Sequence, residues 1–248
     1  LYTASKKNFG EGLQMLGNVF GTILKGLGSV TSGFVNFLSQ MTGADLSITG
    51  LAQTATAFDE TMTRVVNIAD TAGRSTGDAY AYLANKAKEL AINSQYSTQE
   101  VAQGMQEMAQ AGMNVEEVYD SMSSVIALST VGNISLARSA EIVSNGLNAF
   151  GMKASEAKDY ADALAKVANK SGTNVEQLGQ ALTNSASIAG ILGIGIDDVT
   201  IALGLMGDRF IKGGKAGTAM NNILSRLSSG TGKVNDVIEE FNLQGFKQ

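Results

Sequence analysis

No proline occurs anywhere in the 248-residue sequence. At an average usage of about 5%, roughly 12 would be expected. Because proline removes a backbone donor and ends helices, its absence leaves no position at which an α-helix is forbidden. Turns must come instead from the 29 glycines and from Ser, Thr, Asn and Asp side chains. The sequence therefore predicts an all-α fold.

The residue types that are missing also limit the available chemistry. The chain has no His, Cys or Trp, so neither an imidazole nor a thiol can transfer protons, attack a substrate or bind a soft metal. The formal net charge is −5, from 18 basic and 23 acidic residues, without a basic cluster that would bind a phosphate backbone. We expect a structural protein that is not an enzyme, with no catalytic residues, no cofactor, no metal ligands and no specific nucleic-acid binding.

The remaining motif candidates have simple structural interpretations. The glycine-rich stretch 207–215 lacks the G-x-x-x-x-G-K-[ST] spacing of a phosphate loop, so we interpret it as a turn between helices. Adjacent acidic residues, as at 116–117 and 197–198, lie near predicted helix starts, where carboxylates favour the helix dipole. Methionines at helical spacing are expected to fill gaps in the core. They include Met105, Met108, Met113 and Met122.

Residues 9–41 carry an unbroken heptad pattern of apolar residues. The intervals alternate between four and three residues, which is the spacing of a coiled-coil seam. We therefore predict a long helix that self-associates in parallel as a trimer, because large apolar side chains at the a positions do not enforce a dimer. The predicted self-association residues are Phe9, Leu13, Leu16, Phe20, Ile23, Leu27, Val30, Phe34, Phe37 and Met41.

The same segment is rich in glycine, which leaves a second interpretation open. Each glycine inside a helix costs about 1 kcal/mol, so this helix needs either partner helices or a lipid environment. Gly17 and Gly21 form a small-residue contact motif typical of membrane helices, and no charge lies between Lys25 and Asp45. Polar side chains in that stretch interrupt the apolar run that a spanning helix requires. A bundle helix and a membrane-active helix that inserts into the bilayer both remain compatible with the pattern.

Downstream, the sequence predicts helices separated by short turns. Ser97 and Glu100 have capping-box spacing, and Asn114 with Glu117 repeats that signal. Apolar periodicity predicts a first helix over 46–72. The later predicted helices are 76–93, 97–112, 114–131, 135–150, 155–170, 174–193, 197–211 and 214–229, with Ser75, Ser135, Ser155 and Asn174 as further N-terminal caps.

An internal similarity suggests two copies of one unit. Residues 100–105 match 177–182, and residues 111–118 match 192–199. We predict a glycine-rich heptad helix over 1–44, a connecting helix over 45–75, a helical core over 76–231, and the start of a following helical region over 232–248. Within the core, 76–151 and 155–231 would be two similar four-helix units. The sequence begins with Leu1, and we expect it to be a piece of a longer protein.

Four motifs of the core occur in order between residues 55 and 230. They are Phe58-Asp59-Glu60-Thr61-Met62-Thr63-Arg64-Val65, the stretch 97–112, Ala149-Phe150-Gly151, and the glycine-rich run 214–219. In this combination the chain resembles the TP901 core-region family of phage tail tape measure proteins. The heptad segment 9–41 is not part of that pattern.

The resemblance implies a structural role in a virion. Members of that family lie inside the tail tube or tail tip as a few parallel copies, act as a length ruler and assembly scaffold, and leave at genome ejection. The implied partners are further copies of the chain, tail tube proteins, tail tip or baseplate hub proteins and tail assembly chaperones in the host cytoplasm. In some members the host inner membrane is a further partner.

Overall fold

The computed structural model describes residues 48–229, with side chains described from residue 54 onward. All regular structure in this range is helical, which confirms the all-α prediction there. Besides a 3₁₀ helix at Ala154–Glu156, the helices are α1 Ile48–Ile68, α2 Thr76–Ile92, α3 Thr98–Gln110, α4 Val115–Gly132, α5 Leu136–Phe150, α6 Ala157–Lys170, α7 Val175–Ile191, α8 Ile196–Asp208 and α9 Gly213–Ser229.

The helices pack in two rows. In the odd row α1 contacts α3, α3 contacts α5, α5 contacts α7 and α7 contacts α9. In the even row α2 contacts α4, α4 contacts α6 and α6 contacts α8. Consecutive helices also contact each other, so each helical hairpin lies on the next, as in an α-solenoid. The buried apolar side chains of both rows form one continuous core.

The stacking continues across the boundary predicted between the two units. α5 packs on α7 as α3 packs on α5, and α4 packs on α6. The two four-helix units are therefore not confirmed, since the repeating element of the described helices is a hairpin. The predicted connecting helix, α1, packs on α2 and α3 as the first member of the odd row. The domain boundaries themselves stay predictions.

Side-chain caps begin most of these helices, as the sequence predicts. Ser97 Oγ accepts from the Glu100 amide at 3.2 Å, and Glu100 Oε2 accepts from the Ser97 amide at 2.8 Å. Asn114 and Glu117 make the same reciprocal pair, at 3.0 and 2.8 Å. The helices α2, α5 and α7 begin with side-chain caps from Ser75, Ser135 and Asn174. In these helices, side-chain oxygen atoms accept hydrogen bonds from the free backbone amides of the first turn, and no proline is needed to begin the helix.

The predicted cap at Ser155 is wrong. This residue lies in the middle of the 3₁₀ helix Ala154–Glu156, and α6 begins after it at Ala157. Glu156 Oε2 accepts a hydrogen bond from the Lys153 amide at 2.7 Å, which satisfies a backbone donor at the start of the 3₁₀ helix. α6 itself begins without a side-chain cap, because the 3₁₀ helix leads directly into it.

The first helix ends earlier than predicted, at Ile68 rather than near residue 72. Asp70 Oδ1 accepts a hydrogen bond from the Ala72 amide at 2.8 Å, and Gly73 follows with a left-handed φ of +81°. The carbonyl of Asp70 also accepts from the Val115 amide at 2.9 Å. This turn is therefore attached to the start of α4.

Helix α8 also ends early, at Asp208 rather than near residue 211. Phe210 adopts a left-handed φ of +65°, and the Ile211 amide donates back to the Met206 carbonyl at 2.9 Å. This is a Schellman-type stop, which glycine normally provides. The sequence pattern misses it because phenylalanine rarely occupies that region of φ.

Methionines fill the core, which confirms their interpretation from the sequence. Met105, Met108 and Met122 are fully buried, and Met113 is 4% exposed. Buried hydroxyl groups are accommodated by bonding to helix carbonyls: Ser144 Oγ donates to the Ala140 carbonyl at 2.8 Å. The core therefore combines adaptable thioether side chains with polar groups whose hydrogen bonds are satisfied.

Candidate interaction surfaces

A stacked pair of tyrosines joins α2 to α4. The rings of Tyr82 and Tyr119 lie 4.3 Å apart between centroids, with their planes inclined by 18°. The Arg74 guanidinium lies 4.2 Å from the Tyr82 centroid, and the Lys86 ammonium lies 4.6 Å from the Tyr119 centroid. Arg74 also bonds the carboxylate of Glu116. Two cations and two rings thus tie the α1–α2 turn, α2 and α4 together.

A charged cluster joins α5 to α7. Arg138 Nε and Nη2 donate to the two carboxylate oxygens of Glu176 at 2.9 and 3.1 Å. Arg138 also pairs with Glu141 at 2.7 Å on its own helix. The hydrogen bonds from Arg138 lower the pKa of Glu176 below its ordinary value. This fork fixes the register of two neighbouring helices in the odd row.

Two glycines allow very close approach between helices. A Cβ atom on Gly217 of α9 would lie 2.1 Å from the Ala181 carbonyl oxygen of α7. A Cβ atom on Gly146 of α5 would lie 2.1 Å from the hydroxyl of the fully buried Tyr160. The contact of Gly217 involves backbone, which cannot move aside, so α7 and α9 pack with their backbones in contact.

Two phenol groups are shielded from ionisation. Burial raises the pKa of Tyr160. Burial also raises the pKa of Tyr80, helped by a 2.9 Å hydrogen bond that its hydroxyl donates to the Asp59 carboxylate. The hydrogen bond between Tyr80 and Asp59 links α2 to α1. Both tyrosines therefore act as neutral structural groups.

The solvent-facing side of the odd row carries amide, hydroxyl and charged side chains. A groove of ≈ 350 Å³ opens between α1, α3 and α5, lined among others by Gln99, Gln103 and Gln106. The exposed amides and hydroxyls continue along α5 and α7 with Asn145, Asn148, Gln180, Thr183, Asn184 and Ser187. Such groups both donate and accept hydrogen bonds. This face carries both acidic and basic side chains, among them Glu60, Glu107 and Arg64.

Exposed apolar side chains are concentrated in the last two described helices. Of the nine exposed large apolar side chains among residues 54–229, five belong to α8, α9 and the turn between them. They are Ile201, Leu205, Phe210, Ile211 and Ile223. Their exposure was not predicted, because the sequence shows Ile201 and Leu205 only as apolar residues within the predicted helix 197–211.

The residues predicted to self-associate all lie within 9–41, outside the described part of the chain. That assignment therefore stays a prediction, as does the membrane-active alternative for the same segment. Among the described helices, none combines the length and the apolar character needed to cross a bilayer. Residues 48–229 also contain no group of three or more acidic side chains placed to hold a metal ion.

Comparisons with known proteins place the chain among phage tail components. Residues 84–248 match the family described as phage-related minor tail protein. The tape measure protein of Pneumococcus phage Dp-1 is 30% identical over 209 residues, which cover 83% of this chain and 18% of that protein. The probable tape measure protein of Escherichia phage P2 is 25% identical over 164 residues, 66% of this chain and 20% of that protein. No solved structure matches the chain.

These similarities confirm the resemblance seen in the sequence. They also show that the chain spans about a fifth of the length of both relatives. The family match begins within α2 and covers more than half of the chain, including every helix from α3 to α9. The chain belongs to the family of phage-related minor tail proteins.

Proposed function

We propose that this chain is part of a phage tail tape measure protein, a non-enzymatic component of the virion tail that acts as a length ruler and assembly scaffold. The observation that carries the proposal is the similarity to two tape measure proteins, one of them over 83% of the chain. The all-helical structure of the described residues fits such a structural role. The lack of His and Cys supports it, because the common proton-transfer and nucleophilic groups are missing.

The stacked helices serve as scaffold rather than as ruler. As one straight helix, residues 48–229 would span about 270 Å at 1.5 Å per residue. The odd row instead contains five helices, and at about 10 Å between neighbouring axes it spans only about 40 Å. A ruler gains most length per residue from an extended helix, so the ruling segment belongs to the part of the complete protein outside residues 48–229.

The complete protein acts as a homo-oligomer, most simply a trimer, that associates through the heptad segment 9–41. The unbroken apolar seam of that segment supports this arrangement. The oligomer lies inside the tail tube or at the tail tip. Its partners are tail tube proteins, the tip or baseplate hub and, during assembly in the host cytoplasm, tail assembly chaperones. It leaves the tube at ejection.

Purified particles test the tail assignment directly. Mass spectrometry of isolated tails and heads should find peptides of residues 48–229 in tails, at a few copies per particle, and not in heads. A phage with residues 76–229 deleted in frame should form few complete tails, since the scaffold is lost. Absence of these peptides from tails would overturn the proposal.

A further inference from the structure

A cavity of ≈ 210 Å³ opens between α5 and α7. The buried residues that line it are mostly apolar or glycine, and include Ile142, Leu182 and Ala186, each 5% exposed or less. The exposed residues that line it are polar and lie on both helices, in pairs one helical turn apart. They are Glu141 and Asn145 on α5 and Thr183 and Ser187 on α7. A polar rim above an apolar interior is typical of a site for a small ligand.

The tip of Tyr160 reaches this cavity from the even row. Tyr160 belongs to α6, is 1% exposed and lines the cavity. Its ring centroid lies 6.5 Å from that of Phe150. Its hydroxyl lies against Gly146, only 2.1 Å from the position that a Cβ atom would take there. Because Gly146 has no side chain, the phenol fits against α5 with its tip at the cavity.

The Tyr160 hydroxyl has no hydrogen-bond partner among residues 54–229, although buried polar groups normally have one. Buried hydroxyls on the neighbouring helices do: Ser139 Oγ donates to the Val125 carbonyl at 2.7 Å. Burial raises the pKa of Tyr160, so the phenol stays neutral and keeps its proton to donate. A hydrogen-bond donor is therefore unused at the inner end of the cavity.

The charge beside the cavity is already paired. Arg138, which lines it, donates to both carboxylate oxygens of Glu176 and pairs with Glu141. A charged ligand would have to replace one of these partners, whereas a neutral ligand leaves them in place. A cavity of about 150 Å³ can hold a benzene ring, so this larger cavity has room for a ring with a small polar substituent.

We propose that this cavity binds a neutral group that combines one ring-sized apolar body with a carbonyl or hydroxyl oxygen. The oxygen accepts the hydrogen bond that Tyr160 donates, and the apolar body lies between Ile142 and Leu182. The side chains of Asn145 and Ser187 contact the outer end of the group. The site adds ligand recognition to the scaffold role of the stacked helices.

Fluorine NMR titration of the full 248-residue chain tests the site. The first probe is para-fluorobenzamide, a neutral ring with a carbonyl acceptor, and its control is fluorobenzene, which lacks the acceptor. Tyr160→Phe removes only the unpartnered hydroxyl. Tyr80→Phe is the matched control variant, because it removes a hydroxyl that bonds Asp59 and does not line the cavity.

A second probe identifies the source of the group, which comes either on a free molecule or on a side chain of another protein. N-acetyl-fluorotyrosine amide carries the same chemistry on a blocked amino acid. Its binding would assign the site to a protein side chain. Binding of para-fluorobenzamide alone would assign the site to a free molecule.

We expect para-fluorobenzamide to bind the wild type and Tyr80→Phe with a Kd on the order of 1 mM, as suits a ligand of about ten heavy atoms. Tyr160→Phe should weaken this binding about tenfold, and fluorobenzene should bind the wild type about tenfold more weakly than para-fluorobenzamide. Equal binding to the wild type and Tyr160→Phe would overturn the proposal. Failure of both acceptor-bearing probes to bind at about 10 mM would also overturn it.

Urea unfolding gives an independent check that needs no probe. Because the Tyr160 hydroxyl bonds no group in the described part of the chain, Tyr160→Phe should unfold at the same urea concentration as the wild type or at a higher one. A clear loss of stability would show that an internal water already satisfies the hydroxyl, and would overturn the proposal.

Discussion

Tyr82 and Tyr119 stack with their ring centroids 4.3 Å apart, although they are 37 positions apart in sequence. Each ring is also covered by a cation, Arg74 on one and Lys86 on the other. The stack joins the first two helices of the even row. It therefore supports the start of that row, where α2 has α4 as its even-row neighbour in the described residues.

The tyrosine stack should have a measurable coupling energy. In a double-mutant cycle with Tyr82→Leu and Tyr119→Leu, we expect a coupling of about 0.5–1.5 kcal/mol, beyond the loss of buried area. Urea unfolding of the four proteins, followed by circular dichroism, measures it. Additive effects within about 0.3 kcal/mol would show that the stack contributes no specific stabilisation.

The backbone contact between α7 and α9 makes Gly217 sensitive to the smallest side chain. Gly217→Ala should destabilise the chain by about 1–3 kcal/mol, because the added methyl group meets the Ala181 carbonyl and the helices must separate. Gly214→Ala on the same helix is the matched control. Its Cβ atom has nothing closer than 3.6 Å, so we expect it to be neutral or stabilising by up to about 1 kcal/mol. Equal effects of the two variants would contradict this packing.

The Arg138–Glu176 fork should add a pH-dependent component to stability. Since Arg138 lowers the pKa of Glu176 below 4.5 in the folded chain, the stabilisation is fully present above the unfolded value and is lost as the pH falls through the folded value. Glu176→Gln should therefore cost about 0.5–1 kcal/mol at pH 7, a modest amount because the pair is partly exposed.

Thermal melts between pH 7 and pH 3 measure this effect. The wild type and Glu176→Gln should converge as the pH falls below about 4.5, because protonation removes the same charge that the substitution removes. Glu60→Gln serves as control, since Glu60 and Arg64 form an exposed pair at 3.9 Å. A constant difference between wild type and Glu176→Gln at all pH values would contradict the assignment.

Helix starts could be predicted from the sequence, because they are encoded within four residues. Ser97 with Glu100 and Asn114 with Glu117 combine the side-chain types and spacing that capping requires. The stop at Phe210 could not, because phenylalanine rarely adopts the left-handed φ of +65° that ends α8 there.

The packing of the helices on one another could not be predicted from the sequence either. Periodicity shows that a helix has an apolar side but not which other helix covers it. The similarity between residues 111–118 and 192–199 predicted two four-helix units, which the continuous stacking of the described helices does not confirm. Contacts such as Tyr82 with Tyr119 and Gly217 with Ala181 join distant positions without a local signal.

Tail length tests whether this chain is part of a tape measure protein. In-frame deletions of about 50 and about 100 residues, made in the complete gene product within predicted helix outside residues 48–229, can be compared by electron microscopy of the particles. We predict tails shortened in proportion, by about 1.5 Å per deleted residue. Tails of unchanged length in particles that carry the shortened protein would contradict it.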